Sequence, residues 1–448
     1  MNASSKPTGH VLTDWNPEDD SFWESTGKKI ANRTLFVTTF NLTLAFAVWF
    51  MVSAIVGRLK NSGFDLTKTE LYWLVAMPGL AGGTMRLLHM FLVPIFGTRK
   101  VVTFSTLSLL VPLIGWYFAV QDTATSYVTL MVLAFLAGLG GGNFSSFMPS
   151  TSLFFPKKKL GTALGIQAGV GNFGVSLVQF LTPWMLGLGI MGASLMWDKD
   201  GPKKPVAPTE VYLGSAFLFW IPFVIIGAIL AWTLLKDVPV KANMREQMNI
   251  FREKHTYTMT SLYVMTFGTF SGLAAAFPIL IKNQFGDFAN APDPLKYAFI
   301  GPLVGSIARV LAGPVSDRLG GARVTTVSGI GATIFAVLVS FWVKPDSMDD
   351  FTPFVLAMTG VFFFAGVGNA STFKQIPMLF DKVKSAGVIG WTAAIAAYGP
   401  FLFSVLISFA ASATGSPAAF FIGLAVFCAL NVALNWWYFA RKNAPDPC

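Results

Sequence analysis

Two arginines stand inside otherwise uncharged, apolar stretches of this chain. Arg86 lies in LVAMPGLAGGTMRLLHMFLVPIFGTRK, with Gly82 four residues before it and Lys100 fourteen after. Arg309 lies in FIGPLVGSIARVLAGPVSDRLGGARV, with Gly305 four before and Arg323 fourteen after. A guanidinium inside a bilayer costs roughly 3 kcal/mol on insertion scales, so an intramembrane arginine marks a functional site by default. Its planar fork offers paired donors that match two oxygens of a flat anion, where lysine offers only a point charge. No aspartate or glutamate falls in the core of an apolar run; Asp317 and Glu70 lie at the edges. The two arginines therefore lack a carboxylate partner, and their matching places imply one small-anion site shared between two half-molecules. The remaining reactive residues offer little. His10 and His255 sit in polar segments and only His89 in an apolar one, while Cys428 and Cys448 have neither metal-ligand spacing nor a disulfide framework. With no metal cluster, catalytic dyad or cofactor domain, an enzyme is not expected, and no cofactor is called for.

The elements that must position these residues are membrane helices. Of 448 residues 54% are hydrophobic and 12% charged, too apolar for a soluble protein. Apolar runs of about 20 residues, enough to cross a bilayer, recur near 34–57, 71–95, 101–120, 126–149, 160–188, 211–235, 257–282, 296–315, 322–343, 353–376, 386–411 and 415–440. The expected fold class is an all-α membrane protein of twelve transmembrane helices in two six-helix bundles. Residues 1–33 form a polar tail without the apolar core of a signal peptide. The expected division continues with an N-terminal bundle over 34–235, a basic linker over 236–256, a C-terminal bundle over 257–440 and a short tail over 441–448. The net charge of +10 does not point to nucleic acid. Lysines and arginines gather in the N-terminal tail and the even-numbered loops, among them Arg99, Lys100, Lys157, Lys158, Lys159, Lys236, Lys241 and Arg245. By the positive-inside rule both termini are then cytoplasmic, and the lipid bilayer is the surrounding partner.

The two halves repeat each other. Beyond the arginine pattern, Gly142-Asn143-Phe144-Ser145-Ser146-Phe147 matches Gly368-Asn369-Ala370-Ser371-Thr372-Phe373, and Gly165 and Gly174 match Gly390 and Gly399. The loop after the eighth run carries Gly313, Asp317, Arg318, Gly320 and Arg323. That spacing resembles the G-x3-D-R-x-G-x2-R signature of the major facilitator superfamily, whose degenerate partner keeps Gly97, Arg99 and Lys100. In that superfamily the loop locks neighbouring helix ends during rocking-bundle alternating access, and a monomer is the usual state.

Within the superfamily, Ala163-Leu164-Gly165-Ile166-Gln167-Ala168-Gly169-Val170-Gly171-Asn172-Phe173-Gly174 resembles the glycine-rich nitrate signature of the nitrate/nitrite porters of the NarK type, with a weaker copy over 387–399. Thr13 to Trp23 and Val93 to Gly97 resemble the same family. The resemblance implies transport of nitrate or nitrite across the cytoplasmic (inner) membrane. It assigns Arg86 and Arg309 to the anion, and Phe144, Tyr263, Phe267 and Phe46 to an aromatic clamp on its faces. Asn172 is a polar ligand or a helix-packing bond. The signature glycines serve helix packing more than contact with the anion.

Two arginines without an anion repel each other and should hinder closure, which favours exchange of nitrate for nitrite. Proton coupling needs a titratable group. His89 lies three residues after Arg86, nearly on its face, and a desolvated Lys374 can lose its proton. Typical exchangers of the family carry neither residue, which tilts the reading toward nitrate/proton symport, with nitrate/nitrite antiport as the alternative. A carrier of another small oxyanion and an anion channel are the remaining rivals.

Overall fold

The computed structural model describes residues 9–190, 192–197, 209–239, 249–288 and 290–448. Residues 240–248 of the expected linker, with Lys241 and Arg245, lie outside the described residues, as do residues 1–8 of the tail. Among the described residues, eleven helices are long and apolar enough to cross a membrane: α1 Asp20–Ser62, α3 Thr98–Ala119, α4 Tyr127–Ser152, α5 Lys157–Leu186, α6 Ser215–Leu234, α7 Lys254–Phe285, α8 Leu295–Leu319, α9 Gly321–Trp342, α10 Met348–Leu379, α11 Gly387–Thr414 and α12 Ala418–Ala440. The twelfth, α2 Lys68–His89, is 22 residues long. Its glycines, Pro78 and Arg86 dilute its apolar content. It also ends earlier than its apolar run: the chain turns at Met90 and Phe91 before a short helix, Leu92–Phe96.

Local chemistry sets the helix ends. A capping box opens α2, Thr67 Oγ1 accepting from the Glu70 N–H and Glu70 Oε2 from the Thr67 N–H. Gly97 and Gly320 turn the chain into α3 and α9 with φ of +81° and +90°, which L side chains rarely adopt. They lie at repeat-equivalent places, and each turn is tied back to the end of its own half. The Arg99 N–H donates to Asp237 Oδ1 at 2.8 Å, and the Ala322 N–H to the Cys448 carbonyl at 3.1 Å.

Small residues let the helices meet. A Cβ on Gly141 of α4 would stand 2.7 Å from the Gly82 Cα of α2, and one on Gly366 of α10 would strike the Gly305 backbone of α8. The same close crossing is thus built twice, once in each bundle and each time four residues before an arginine. Helices α1 and α7 are the central pair, their most apolar stretches 78% and 94% buried, against 33% for α6. Large apolar side chains such as Phe104, Phe118, Ile229, Phe341 and Leu430 are exposed on the outer helices, as a lipid-facing surface requires. The bundles meet where α1 packs on α7, α2 on α11 and α5 on α8.

Two features were not expected. A two-stranded antiparallel ribbon, β1 Leu195–Trp197 with β2 Thr209–Val211, joins α5 to α6. On the face that carries both chain ends, Leu12, Trp15 and Trp23 of the tail pack with Phe154, Phe155 and Ala163 into a small second core, fastened by the Trp15 indole N–H on the Leu153 carbonyl at 3.1 Å.

Candidate functional site: a paired-arginine centre

Arg86 and Arg309 are 0% and 3% exposed, and among the described residues no aspartate or glutamate is buried. Arg86 is held by main chain from both bundles. Its Nε donates to the Gly141 carbonyl of α4 at 2.9 Å and its Nη1 to the Ala393 carbonyl of α11 at 2.8 Å. Nη2 is buried without a hydrogen-bond partner among the described residues. Arg309 faces side chains instead. Its Nη2 donates to the Tyr263 hydroxyl at 3.4 Å. The Asn172 amide, with its oxygen toward Arg309, accepts from Nη1 at 3.0 Å and donates to the Ala168 carbonyl at 3.3 Å.

Between the guanidiniums lies a pile of aromatic rings. Tyr263 stacks on Phe373 with centroids 4.3 Å apart and on Phe267 at 5.4 Å, and Phe267 stacks on Phe144 at 6.2 Å. The Arg86 guanidinium carbon is 4.6 Å from the Phe144 ring centre and 4.9 Å from that of Phe267; that of Arg309 is 5.6 Å from Phe373. Desolvated guanidinium–ring contacts of this kind contribute about 2 kcal/mol or more each, so the rings both shield the charges from lipid and hold them apart. Phe46 joins from α1, 6.3 Å from Phe144. Helix α7 brings Tyr263 and Phe267 in through a π-helical turn, Val264–Gly268, in which the Thr269 N–H reaches back to the Val264 carbonyl. Such single wide turns recur at functional sites.

The sequence-derived residues thus converge: Arg86, Arg309, Tyr263, Asn172, Phe144, Phe267 and Phe46 surround one centre. His89 lies just beyond it, buried, with Nδ1 2.9 Å from Ser146 Oγ. Lys374 is a correction. Its ammonium pairs with Asp317 at 2.5 Å and the side chain is 43% exposed, so it is a solvated ion-pair member and not a desolvated lysine. The pair links the last turn of α8 to α10. The expected loop is helical except at Gly320: Gly313 and Arg318 lie within α8 and Arg323 within α9, Gly313 half-exposed and the two arginines exposed. The signature glycines sit at helix crossings. A Cβ on Gly169 would strike Val310 of α8, one on Gly171 would stand 2.7 Å from Leu42, and one on Gly174 would strike the Thr43 carbonyl. On α11, Gly390 abuts Met90 of α2 and Gly399 abuts Gly268 and Ser271 of α7, whereas Gly165 faces open space.

Several contributors escaped the sequence reading, Phe373 of the ring stack among them. Trp49 lies 5.3 Å from the Arg86 guanidinium and fixes its own indole on the Pro78 carbonyl at 2.8 Å; one tryptophan among 13 carries no local mark. The Ala393 carbonyl is main chain and has no side-chain signal. Asn143 and Asn369 are fully buried with both amide atoms unpartnered among the described residues; their signal was the repeated Gly-Asn pair.

Comparison with known proteins places the chain in a family. The family model described as Major Facilitator Superfamily matches residues 35–287. Over 98% of this chain and 99% of the relative, the sequence is 59% identical to the probable nitrate/nitrite antiporter NarK2 of Thermus thermophilus. The chain belongs to the nitrate/nitrite porters of the major facilitator superfamily. A more distant porter, the nitrate/nitrite transporter NarU of Escherichia coli (strain K12), is 33% identical over 98% of each chain. The nitrite extrusion protein of Bacillus subtilis (strain 168) is 26% identical over 91% of this chain and 95% of its own. In the porter fold the twelve helices, the two bundles and the central placement of α1 and α7 are accounted for together.

Proposed function

We propose that this porter carries nitrate and nitrite between its two bundles by rocking-bundle alternating access, the anion held by Arg86 and Arg309, in obligatory exchange. The observation that supports this most is a pair of buried guanidiniums, each against a member of one ring stack, with no buried acid among the described residues to neutralise them. The Nη2 amino group of Arg86 is unpartnered among the described residues, ready for an anion oxygen. The rings that pile up in the closed centre are the faces between which a flat anion slides. A bound anion cancels part of the repulsion between the arginines, so the loaded carrier rocks and the empty one is held back. The 59% identical relative is itself described as an antiporter. The distribution of basic residues supports an orientation with both termini cytoplasmic, and the Asp317–Lys374 pair supports a latching role for the end of α8.

Proton symport is the second reading, favoured by one observation: His89 is buried within a turn of Arg86, its Nδ1 2.9 Å from Ser146 Oγ. Lys374, exposed in its ion pair, lends it nothing. Purified protein in vesicles loaded with a pH dye separates the two. Exchange gives nitrate uptake only with nitrite inside and no pH change. Acidification during uptake into nitrite-free vesicles establishes symport, and makes His89→Asn the variant to assay. Absence of nitrate uptake in both settings rejects the substrate assignment, and competition by a panel of anions tests another oxyanion.

A further inference from the structure

Away from the chain ends, the two bundles are fastened by a second arginine. Arg58 in the last turns of α1 donates through Nη2 to both carboxylate oxygens of Asp293, each at 2.8 Å, and their side chains are 8% and 12% exposed. Asp293 lies just before α8 and also accepts from the Leu295 N–H at 3.2 Å. Trp197 of the ribbon covers the guanidinium, its ring centre 4.0 Å from the Arg58 carbon. Arg58 and Trp197 therefore belong to the N-terminal bundle and Asp293 to the C-terminal one.

Behind this pair two small cavities lead inward. One of about 30 Å³ is bordered by Arg58, Trp197, Asp293 and Ser53, and the next, about 10 Å³, by Ser53, Trp49 and Phe50. Trp49 in turn touches Arg86. Three successive segments of α1, around 58, 53 and 49, thus line a broken path from the surface to the central arginine. Each cavity holds a water or two at most, so the path is shut to an anion while the pair is intact.

We propose that Arg58 is an outer anion contact on the approach to the central site, occupied by Asp293 while this face is closed and by nitrate or nitrite once the bundles part. When Asp293 withdraws with α8, the guanidinium stays half-buried under Trp197 with its charge uncompensated, and a planar oxyanion offers the same two oxygens that the carboxylate offered. Exchange of one anionic partner for another makes opening easier when substrate is present. The inference rests on the central site being the anion site, one step further along α1.

The test uses a Cys428→Ser, Cys448→Ser background with Ser53→Cys as reporter. Thiol labelling of the purified protein reads opening without any nitrate, and KM for nitrate is measured in vesicles. Asp293→Asn and Arg58→Gln should each speed labelling by about tenfold or more, as expected on breaking a charge pair of which one member is buried and the other largely so. Only Arg58→Gln should also raise KM, whereas Asp293→Asn should leave it unchanged or lower it. The charge swap Arg58→Asp with Asp293→Arg should restore slow labelling but not KM, which guards against misfolding as the cause. Unchanged labelling in Asp293→Asn overturns the fastening, and equal KM in the two single variants overturns the anion contact. Failure of the central-site reading would show separately, as Arg86 variants that keep nitrate affinity while the labelling results stand.

Discussion

At the scale of single residues, the geometry separates charge from shape. Arg86→Lys keeps the positive charge but cannot reach Gly141 and Ala393 together while leaving a third donor for the anion. Nitrate uptake in vesicles should fall by about 10- to 100-fold for this variant and for Arg309→Lys, the loss expected when a fork-shaped donor becomes a point charge. Lys374→Gln should change uptake by no more than about twofold and leave its pH profile in place, because an exposed ion pair contributes only about 0–1 kcal/mol. Cys448 offers a chemical check. Burial, aided by the charge of Asp446, pushes its thiol up to about 12, so alkylation of the folded protein at neutral pH should be slow and should become rapid on denaturation. The types of the central residues were legible because a charged side chain in an apolar run has few structural excuses. Their partners were not: the Ala393 carbonyl and Trp49 reach Arg86 only after the chain has folded, and nothing local announces them.

At the scale of elements, the crossings decide. Gly141→Ala places a methyl group 2.7 Å from both the Gly82 Cα and the Trp49 ring. The backbone of α2 cannot yield there without moving Arg86. Overpacking of this kind costs about 1–3 kcal/mol, so thermal stability should drop measurably while Gly165→Ala, which meets nothing, should leave it unchanged. Most helices were readable from apolar runs to within a few residues, since a bilayer leaves the main chain no other way to satisfy its polar groups. Two exceptions are instructive: α1 begins at Asp20, inside the expected tail, because its first turns are polar helix that hydropathy does not register, and α2 ends early. The run at the end of α2 stays apolar through the turn at Met90 and Phe91, so hydropathy had no reason to stop where hydrogen bonding does. The Leu195–Trp197 ribbon was missed because three-residue strands carry too little alternation to register.

The whole molecule is bound at its edges as well as its centre. On the face with both chain ends, Asp446 receives a hydrogen bond from His255 at 2.9 Å and lies 3.6 Å from Lys254. The hydrogen bond first, then the two positive charges, hold its carboxyl below the ordinary 3.8. A lowered carboxylate stabilises the docked tail above its ordinary value and loses that effect only as the pH falls through the lowered one. Hydrogen exchange at the tail should therefore stay slow from neutral pH down past 3.8 and quicken below it, whereas Asp446→Asn should remove the pH dependence. Internal duplication made the two-bundle plan legible from the sequence. The tail contacts were not, because His255 and Asp446 are distant in the chain and neither lies in a repeated motif.

The wide turn over Val264–Gly268 gives α7 a phase problem in mid-helix, whereas the other wide turns, Trp23–Gly27 of α1 and Trp436–Ala440 of α12, lie at helix ends. Each residue of an α-helix advances the side chains by about 100°, so the surplus residue there sets the angular offset between the stretch bearing Tyr263 and the stretch beginning at Thr269. A deletion of one residue from this turn would leave the composition of the site almost untouched, yet swing Tyr263 by about a quarter of a revolution or more, away from Arg309. The centre of this porter is thus encoded partly in a count: not which residues α7 contains, but how many it spends between its two ends.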